Sequence, residues 1–307
     1  MLAGAALAAP ALTVAIPRTR ARDIGVCALN MWAYLAAYEL PHDDPERLRQ
    51  RAALDYPIAI DRLLGLGVPP TVRLQRGLST PGEINRFERV LVCCHWVWFM
   101  VPHASVAYVL LRDPERAAGA AGRMYAVFDL GAVFYWSIPT APPWYAALNG
   151  RLTEYLTASA SPGSPGSPAA AARFAPAPLS GRPAPPTAAV RRMMIEYGEE
   201  FWGERWPALY DVLGGNPLAA MPSLHFATSL MGAHLLSEVG PVAGAVGWTY
   251  AAVLGLALVY LGEHYVADLI GGALLAEVVQ TNADRAKPTL ARLARGIEAL
   301  ARLAAAG

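Results

Sequence analysis

Charge is scarce in this chain and lysine is almost absent from it. Only 16% of the 307 residues are charged, 25 basic residues nearly cancel 24 acidic ones, and every basic residue except Lys287 is arginine. A net charge of +1 supplies no basic field with which to hold nucleic acid. The arginine bias, with abundant Ala, Gly and Pro, reads as GC-rich coding rather than as chemistry. Cysteine is also short: Cys27, Cys93 and Cys94 lie in apolar runs and make an odd number, which excludes a disulfide framework and any zinc-finger spacing. No positive charge precedes the apolar opening stretch, and Arg18, Arg20 and Arg22 follow it, the reverse of the order in a secretory signal. What the chain has in quantity is apolar side chain. With 55% hydrophobic residues and a mean hydropathy of +0.30, it is neither a disordered polymer nor an ordinary soluble enzyme.

A helix needs about 20 mostly apolar residues to cross the hydrocarbon of a bilayer. Six stretches approach that length: 24 to 40, 90 to 111, 122 to 141, 222 to 238, 241 to 262 and 264 to 281. Trp96, Trp98, Tyr135, Trp136, Trp144, Tyr260 and Tyr265 gather near their ends, where rings sit at the headgroup level. The expectation is an all-α, polytopic membrane helical bundle of about six transmembrane helices.

The chain divides accordingly. Residues 1–23 are an N-terminal extension, and 24–156 hold the first membrane helices with a charged interfacial loop over 41–89. Residues 157–189, opening on Ser-Pro-Gly repeats, are expected to be disordered because their composition cannot bury a core. Residues 190–281 carry the candidate chemistry and 282–307 a basic tail. Arginines in the short loop near Arg112, Arg116 and Arg123 and in the tail favour those segments facing the cytoplasm. The opposite boundary is then extracytoplasmic.

Polar residues concentrate in two places at that boundary. One runs from Asn216 through Pro222 and Ser223 to His225, before the fourth span; the other from Gly262 through His264 to Asp268, between the fifth and sixth. The spans between them turn at Gly240 and Pro241, so His225 and His264 are expected on one membrane face. His264 and Asp268, four apart, share a face in a first helical turn, which lets the carboxylate hold one imidazole nitrogen while the other attacks. Pro222-Ser223 reads as a helix start, with a hydroxyl and open N–H groups suited to a phosphate. His225 in the same turn is placed to protonate a leaving oxygen. A zinc site made of His225, His264 and Asp268 is the chemically allowed rival.

Pro222-Ser223-Leu224-His225 is similar to the Pro-Ser-Gly-His motif of the type 2 phosphatidic acid phosphatase superfamily, and His264 with Asp268 resembles the His-x-x-x-Asp end of its third motif. The resemblance implies that His264 attacks phosphorus to give a phosphohistidine, Asp268 orients it, His225 is the general acid, and no metal or other cofactor takes part. Leu224 in place of glycine, the run Gly262-Glu-His-Tyr-Val-Ala-Asp-Leu269, and Pro139-Thr-Ala-Pro-Pro-Trp144 resemble the inositol phosphorylceramide synthase branch and its bacterial relatives. That branch implies a lipid phosphate or phosphodiester substrate, a membrane setting such as a bacterial plasma membrane, and an alcohol acceptor such as inositol. Two parts of the pattern are missing. The first motif, Lys-x6-Arg-Pro, has no counterpart, and the Ser-Arg of the third falls on Ala257 and Leu258.

Metal-free phosphoryl transfer still needs cations against the equatorial oxygens. Among Arg73, Arg76, Arg151, Arg191, Arg192 and Arg205, the expected phosphate ligands are Arg73, Arg76 and Arg192, joined by Ser223. The remaining polar residues read as structural. His95 and His103 are eight apart in the second span, His234 lies well below His225, Asp129 needs a partner or a proton inside its span, and Glu196, Glu199 and Glu200 make one exposed face. The function expected is a membrane-embedded lipid phosphatase or phosphotransferase. Its rivals are a catalytically silent lipid-phosphate binding or transport protein of the same fold, and an assembly factor that uses the Pro-rich loop.

Overall fold

Helix starts lie where the sequence marks them. In the computed structural model, which describes residues 2–17, 19–39, 50–80, 82–155, 189–213 and 216–306, the helices are α1 (Leu2–Ala15), α2 (Arg20–Glu39), α3 (Asp55–Leu64), α4 (Pro70–Leu78), α5 (Arg86–Trp96), α6 (Val101–Arg112), α7 (Ala117–Ser137), α8 (Pro143–Leu148), α9 (Met193–Trp202), α10 (Trp206–Leu213), α11 (Leu224–Val239), α12 (Pro241–Tyr260) and α13 (Val266–Ala306). Proline occupies the opening position of α4, α8 and α12, where its fixed φ and missing N–H cost nothing. Asn85 and Glu88 close a capping box on α5, and the Ser223 hydroxyl accepts from the Phe226 N–H to cap α11.

All six predicted spans are helical, with shifted ends. The second is α5 and α6 joined by a 3₁₀ turn over Val97–Met100, and the sixth runs on as α13 through the tail. Two helical stretches, Arg86–Arg112 and Pro241–Tyr260, are long and apolar enough to cross a membrane unaided. Helix α11 is shorter at 16 residues, and α7 contains Arg123 and Asp129. The extension at the start of the chain includes α1, which packs on α2 and α13. The expected disordered loop over 157–189 lies, apart from Ala189, outside the described residues.

Helix α11 is the axis of the bundle. It packs against α6, α7, α12 and α13, and its Leu224, Ala227 and Met231 bury against Met124, Val127 and Phe128 of α7. Lipid tails are as apolar as these side chains, so close packing rather than water exclusion holds such helices together. Away from the polar boundary, Arg123 of α7 donates to Glu238 of α11 at 2.7 Å and to Gln280 of α13 at 2.9 Å. That network clamps three helices at one end.

Glycine sets the spacing at the other end. A Cβ on Gly272 of α13 would stand 2.4 Å from the Ser223 carbonyl oxygen, and one on Gly271 2.6 Å from the Met221 sulfur. The two glycines therefore let α13 press against the chain just before α11. Gly272→Ala is expected to lose on the order of 1–3 kcal/mol of stability by overpacking against backbone. Gly296→Ala, with open space around it, should not. Thermal melts of the two variants in detergent check this.

Candidate active site

Three elements deliver the central groups. His225 comes from the first turn of α11, His264 from the loop between α12 and α13, and Asp268 from the first turn of α13. His225 Nδ1 lies 3.1 Å from His264 Nε2, and His264 Nδ1 lies 3.3 Å from Asp268 Oδ2. The carboxylate fixes the tautomer: His264 Nδ1–H donates to it, which leaves Nε2 as a lone-pair nitrogen facing His225. His264 and Asp268 are buried, at 3% and 0% exposure. Asp268 Oδ2 also accepts the Tyr265 N–H at 2.8 Å, while Oδ1 is buried without a hydrogen-bond partner among the described residues. Histidine, histidine and carboxylate thus stand in a hydrogen-bonded row. Among the described residues no group of three or more His, Cys, Asp or Glu is arranged to hold a metal ion.

The loop that presents His264 turns at Gly262, whose φ of +80° favours glycine, and a Cβ there would meet Val190 at 2.5 Å. The Gly262 carbonyl accepts the Trp144 N–H at 3.2 Å. Burial raises the Glu263 carboxyl above its ordinary range, against the opposing pull of Arg192, His264 and a hydrogen bond from Trp144. The Trp144 ring carries the Arg192 guanidinium 3.5 Å from its centre, and Arg192 Nη2 donates to the Tyr210 hydroxyl at 2.7 Å. Arg192 is 4% exposed. Of the three arginines expected to bind phosphate, this one lies beside the His264 loop.

The other two do not join it. Arg73 donates to the Gly65 carbonyl, and Arg76 donates to the Tyr155 carbonyl at 2.7 Å with its guanidinium over the Tyr155 ring. Both are spent on backbone carbonyls, one within the interfacial segment and one at Tyr155. Arg151 pairs with Asp55 at 2.7 Å. Arg191 pairs with Glu196, which corrects the expectation of an exposed Glu196: it is 6% exposed, and burial raises its carboxyl against the pull of Arg191. The Ser223 hydroxyl is fully buried and caps α11. Its main chain N–H donates to the Asp268 carbonyl at 2.9 Å, so Ser223 fastens α11 to α13. Asp129 finds the partner its depth requires in Asn30, at 3.5 Å, and His234 pairs with Glu277 at 2.7 Å, away from the site.

Two residues of the site carried no clear signal in the sequence. The His95 ring lies 4.8 Å from that of His225, although His95 is distant in sequence from either motif. Asp61, read as part of an interfacial loop, is fully buried in α3 and accepts the N–H groups of Val266 and Ala267 at 3.0 and 2.9 Å. It therefore caps the helix that carries Asp268. An acidic residue in an amphipathic 10-residue helix was the available hint.

A sequence model of the PAP2 superfamily matches residues 58–281, and the chain belongs to that superfamily. It is an integral membrane protein of the helical-bundle class. The chain is 27% identical over 184 residues to an inositol phosphorylceramide synthase of Candida albicans, covering 60% of this chain and 33% of that protein. It is 25% identical over 187 residues to the catalytic subunit of inositol phosphorylceramide synthase of Schizosaccharomyces pombe, covering 59% of this chain and 37% of that protein. The chain thus aligns with about a third of the length of these relatives. No solved structure matches it.

Burial holds the Asp61 carboxyl up at about 6, against the pull of its two N–H donors. A carboxyl raised on folding binds its proton more tightly in the native state. Its contribution to stability is complete below about pH 4 and is lost as pH rises through about 6. Asp61→Asn is expected to flatten the fall in melting temperature across that window, measured in detergent as a function of pH.

Proposed function

We propose that the protein is a metal-independent lipid phosphatase or phosphotransferase working through a phosphohistidine on His264. The observation that carries this reading is the row His225–His264–Asp268, at 3.1 and 3.3 Å, in a chain of the PAP2 superfamily. His264 Nε2 attacks the phosphorus of a lipid phosphate or phosphodiester. The N–P bond forms as the P–O bond to the leaving group breaks, and His225 gives its proton to the departing oxygen. A 3.1 Å gap between the rings leaves no room for a phosphoryl group, so substrate entry displaces the contact between the imidazoles. A second nucleophile then attacks phosphorus, gives its proton to His225 and frees His264.

Asp268 keeps the attacking nitrogen unprotonated and stabilises the positive ring that forms. Arg192, held by Trp144 and Tyr210, supplies charge to the equatorial oxygens. Ser223 acts by its fold contacts, holding the first turn of α11 and its N–H groups in place. Similarity to two inositol phosphorylceramide synthases supports headgroup transfer to an alcohol such as inositol over release to water. The arginine pattern of the short loops supports a plasma membrane orientation with the site extracytoplasmic. Residues 190–281 then form the catalytic unit and 24–156 its helical support.

A second reading has its own observation. Ala257 and Leu258, which stand where the superfamily carries Ser-Arg, are fully buried and apolar, as expected of a silent lipid-phosphate binder. Rapid quenching with labelled phosphatidic acid separates the two. Turnover predicts an acid-labile, base-stable phosphohistidine in the native protein and none in His264→Ala, whereas a silent binder retains lipid and labels neither.

The same assay gives the magnitudes. His225→Ala is expected to lower kcat by about 10²–10⁴-fold, the range for a general acid. Activity should persist in EDTA; loss on chelation with recovery on added zinc overturns the metal-free mechanism. Products from phosphatidylinositol with and without free inositol distinguish transfer from hydrolysis.

A further inference from the structure

His95 has no part in the mechanism above, yet it lies against the proposed acid. Its ring is 4.8 Å from that of His225 at 32°, and the Trp98 ring is 4.0 Å from His225 at 44°. His95 and Trp98 are three residues apart on the helical stretch from α5 into its 3₁₀ turn, so one face of that stretch presents both rings. Trp98 is anchored: its Nε1–H donates to Thr228 Oγ1 at 3.0 Å, and Thr228 in turn donates to the Leu224 carbonyl at 2.7 Å. The anchor therefore stands one turn along α11 from His225 itself. The His95 ring meets that of His225 and makes no side-chain hydrogen bond among the described residues.

We propose that His95 and Trp98 form an aromatic clamp that fixes the plane of His225, which makes His95 a positioning residue for phosphoryl transfer. The inference rests on the proposed role of His225 as general acid. A general acid must keep its donor nitrogen aimed at the leaving oxygen, and among the described residues no carboxylate holds His225. Asp268 is occupied by His264, and the titratable side chains that face His225 are His95 from α5 and His264 from the α12–α13 loop. Ring faces are what remains to hold the imidazole in its plane. The clamp also answers a geometric need. When substrate separates the two imidazoles, His225 loses its hydrogen bond to His264, and the flanking rings keep it from turning away.

The test uses the full chain purified in detergent, with phosphatidic acid and with phosphatidylinositol plus free inositol as substrates, comparing the unmutated protein with His95→Ala, His95→Gln, His95→Phe and His225→Ala. Thermal melts establish folding, and kcat and KM are read for each. His95→Ala and His95→Gln, which remove the ring, are expected to lower kcat by about 10- to 100-fold with KM within about twofold. His95→Phe is expected to recover most of that loss. If His95→Ala fails to fold, His95→Gln against His95→Phe makes the same comparison. Unmutated kcat in a folded ring-less variant overturns the clamp, as does a folded His95→Phe no better than His95→Gln. Loss in His225→Ala beside unchanged His95 variants sinks the clamp alone. Full activity in His225→Ala, or no turnover by the unmutated protein, removes the mechanism and the clamp together.

Discussion

The position of the whole site depends on how closely the backbone at Ser223 can lie against the first two turns of α13. Ser223 N–H donates to the Asp268 carbonyl at 2.9 Å, and the missing side chain of Gly272 leaves room for the Ser223 carbonyl. A contact between main chains cannot adapt by changing a rotamer. It therefore fixes α11 relative to α13 more firmly than side-chain packing would, and it does so one residue before Leu224 and two before His225. His264 is tied to the same frame through Asp268, whose Oδ2 accepts both the imidazole and the Tyr265 N–H. Asp61 then completes the start of α13 from outside the bundle.

The segment Pro139–Trp144 acts as a splint across this arrangement. Thr140 donates its N–H to the Leu218 carbonyl and accepts from Ala220, and on the other side the Ala53 N–H donates to the Pro139 carbonyl while the Ala53 carbonyl accepts from Ala141. Trp144 follows, taking the Gly262 carbonyl at its N–H and the Arg192 guanidinium on its ring. A prolyl-rich run suits this task because it holds an extended course without internal hydrogen bonds, leaving its carbonyls and N–H groups for its neighbours. One short segment thus positions the approach to α11, the loop before His264 and the arginine beside it.

Periodicity and length made the membrane helices legible in the sequence, and the hairpin through Gly240 and Pro241 was enough to place His225 and His264 on one face. Helix ends were less legible: the 3₁₀ turn at Val97–Met100 depends on packing around Trp98, and α13 continues through the tail past Pro288, a residue that reads in sequence as a helix stop. The arginines were the least legible part. The sequence assigned Arg73, Arg76 and Arg192 to one side alike, and what separates them is whether a nearby backbone carbonyl or an aromatic ring takes the guanidinium. That depends on tertiary contacts such as Gly65 with Arg73 and Trp144 with Arg192, which no local pattern announces. His95 was hidden for the same reason, because its partner is far away in sequence.

Charge balance ties these features together on the proposed chemistry. A phosphate brings negative charge into a site whose placed cation is Arg192, and a guanidinium with little water around it attracts that charge far more strongly than one in solvent. Glu263 stands in the same field and would cancel part of the attraction if ionised. Burial raises its carboxyl, so an incoming phosphate favours its neutral form, which competes less with the ligand for the Arg192 guanidinium. A single well-placed arginine can then do what the superfamily's missing lysine and second arginine do elsewhere, provided that nothing else in the pocket competes for it. Trp144 meets that condition from both sides: its ring supports the guanidinium, and its hydrogen bond to Glu263 holds the competing carboxyl in place.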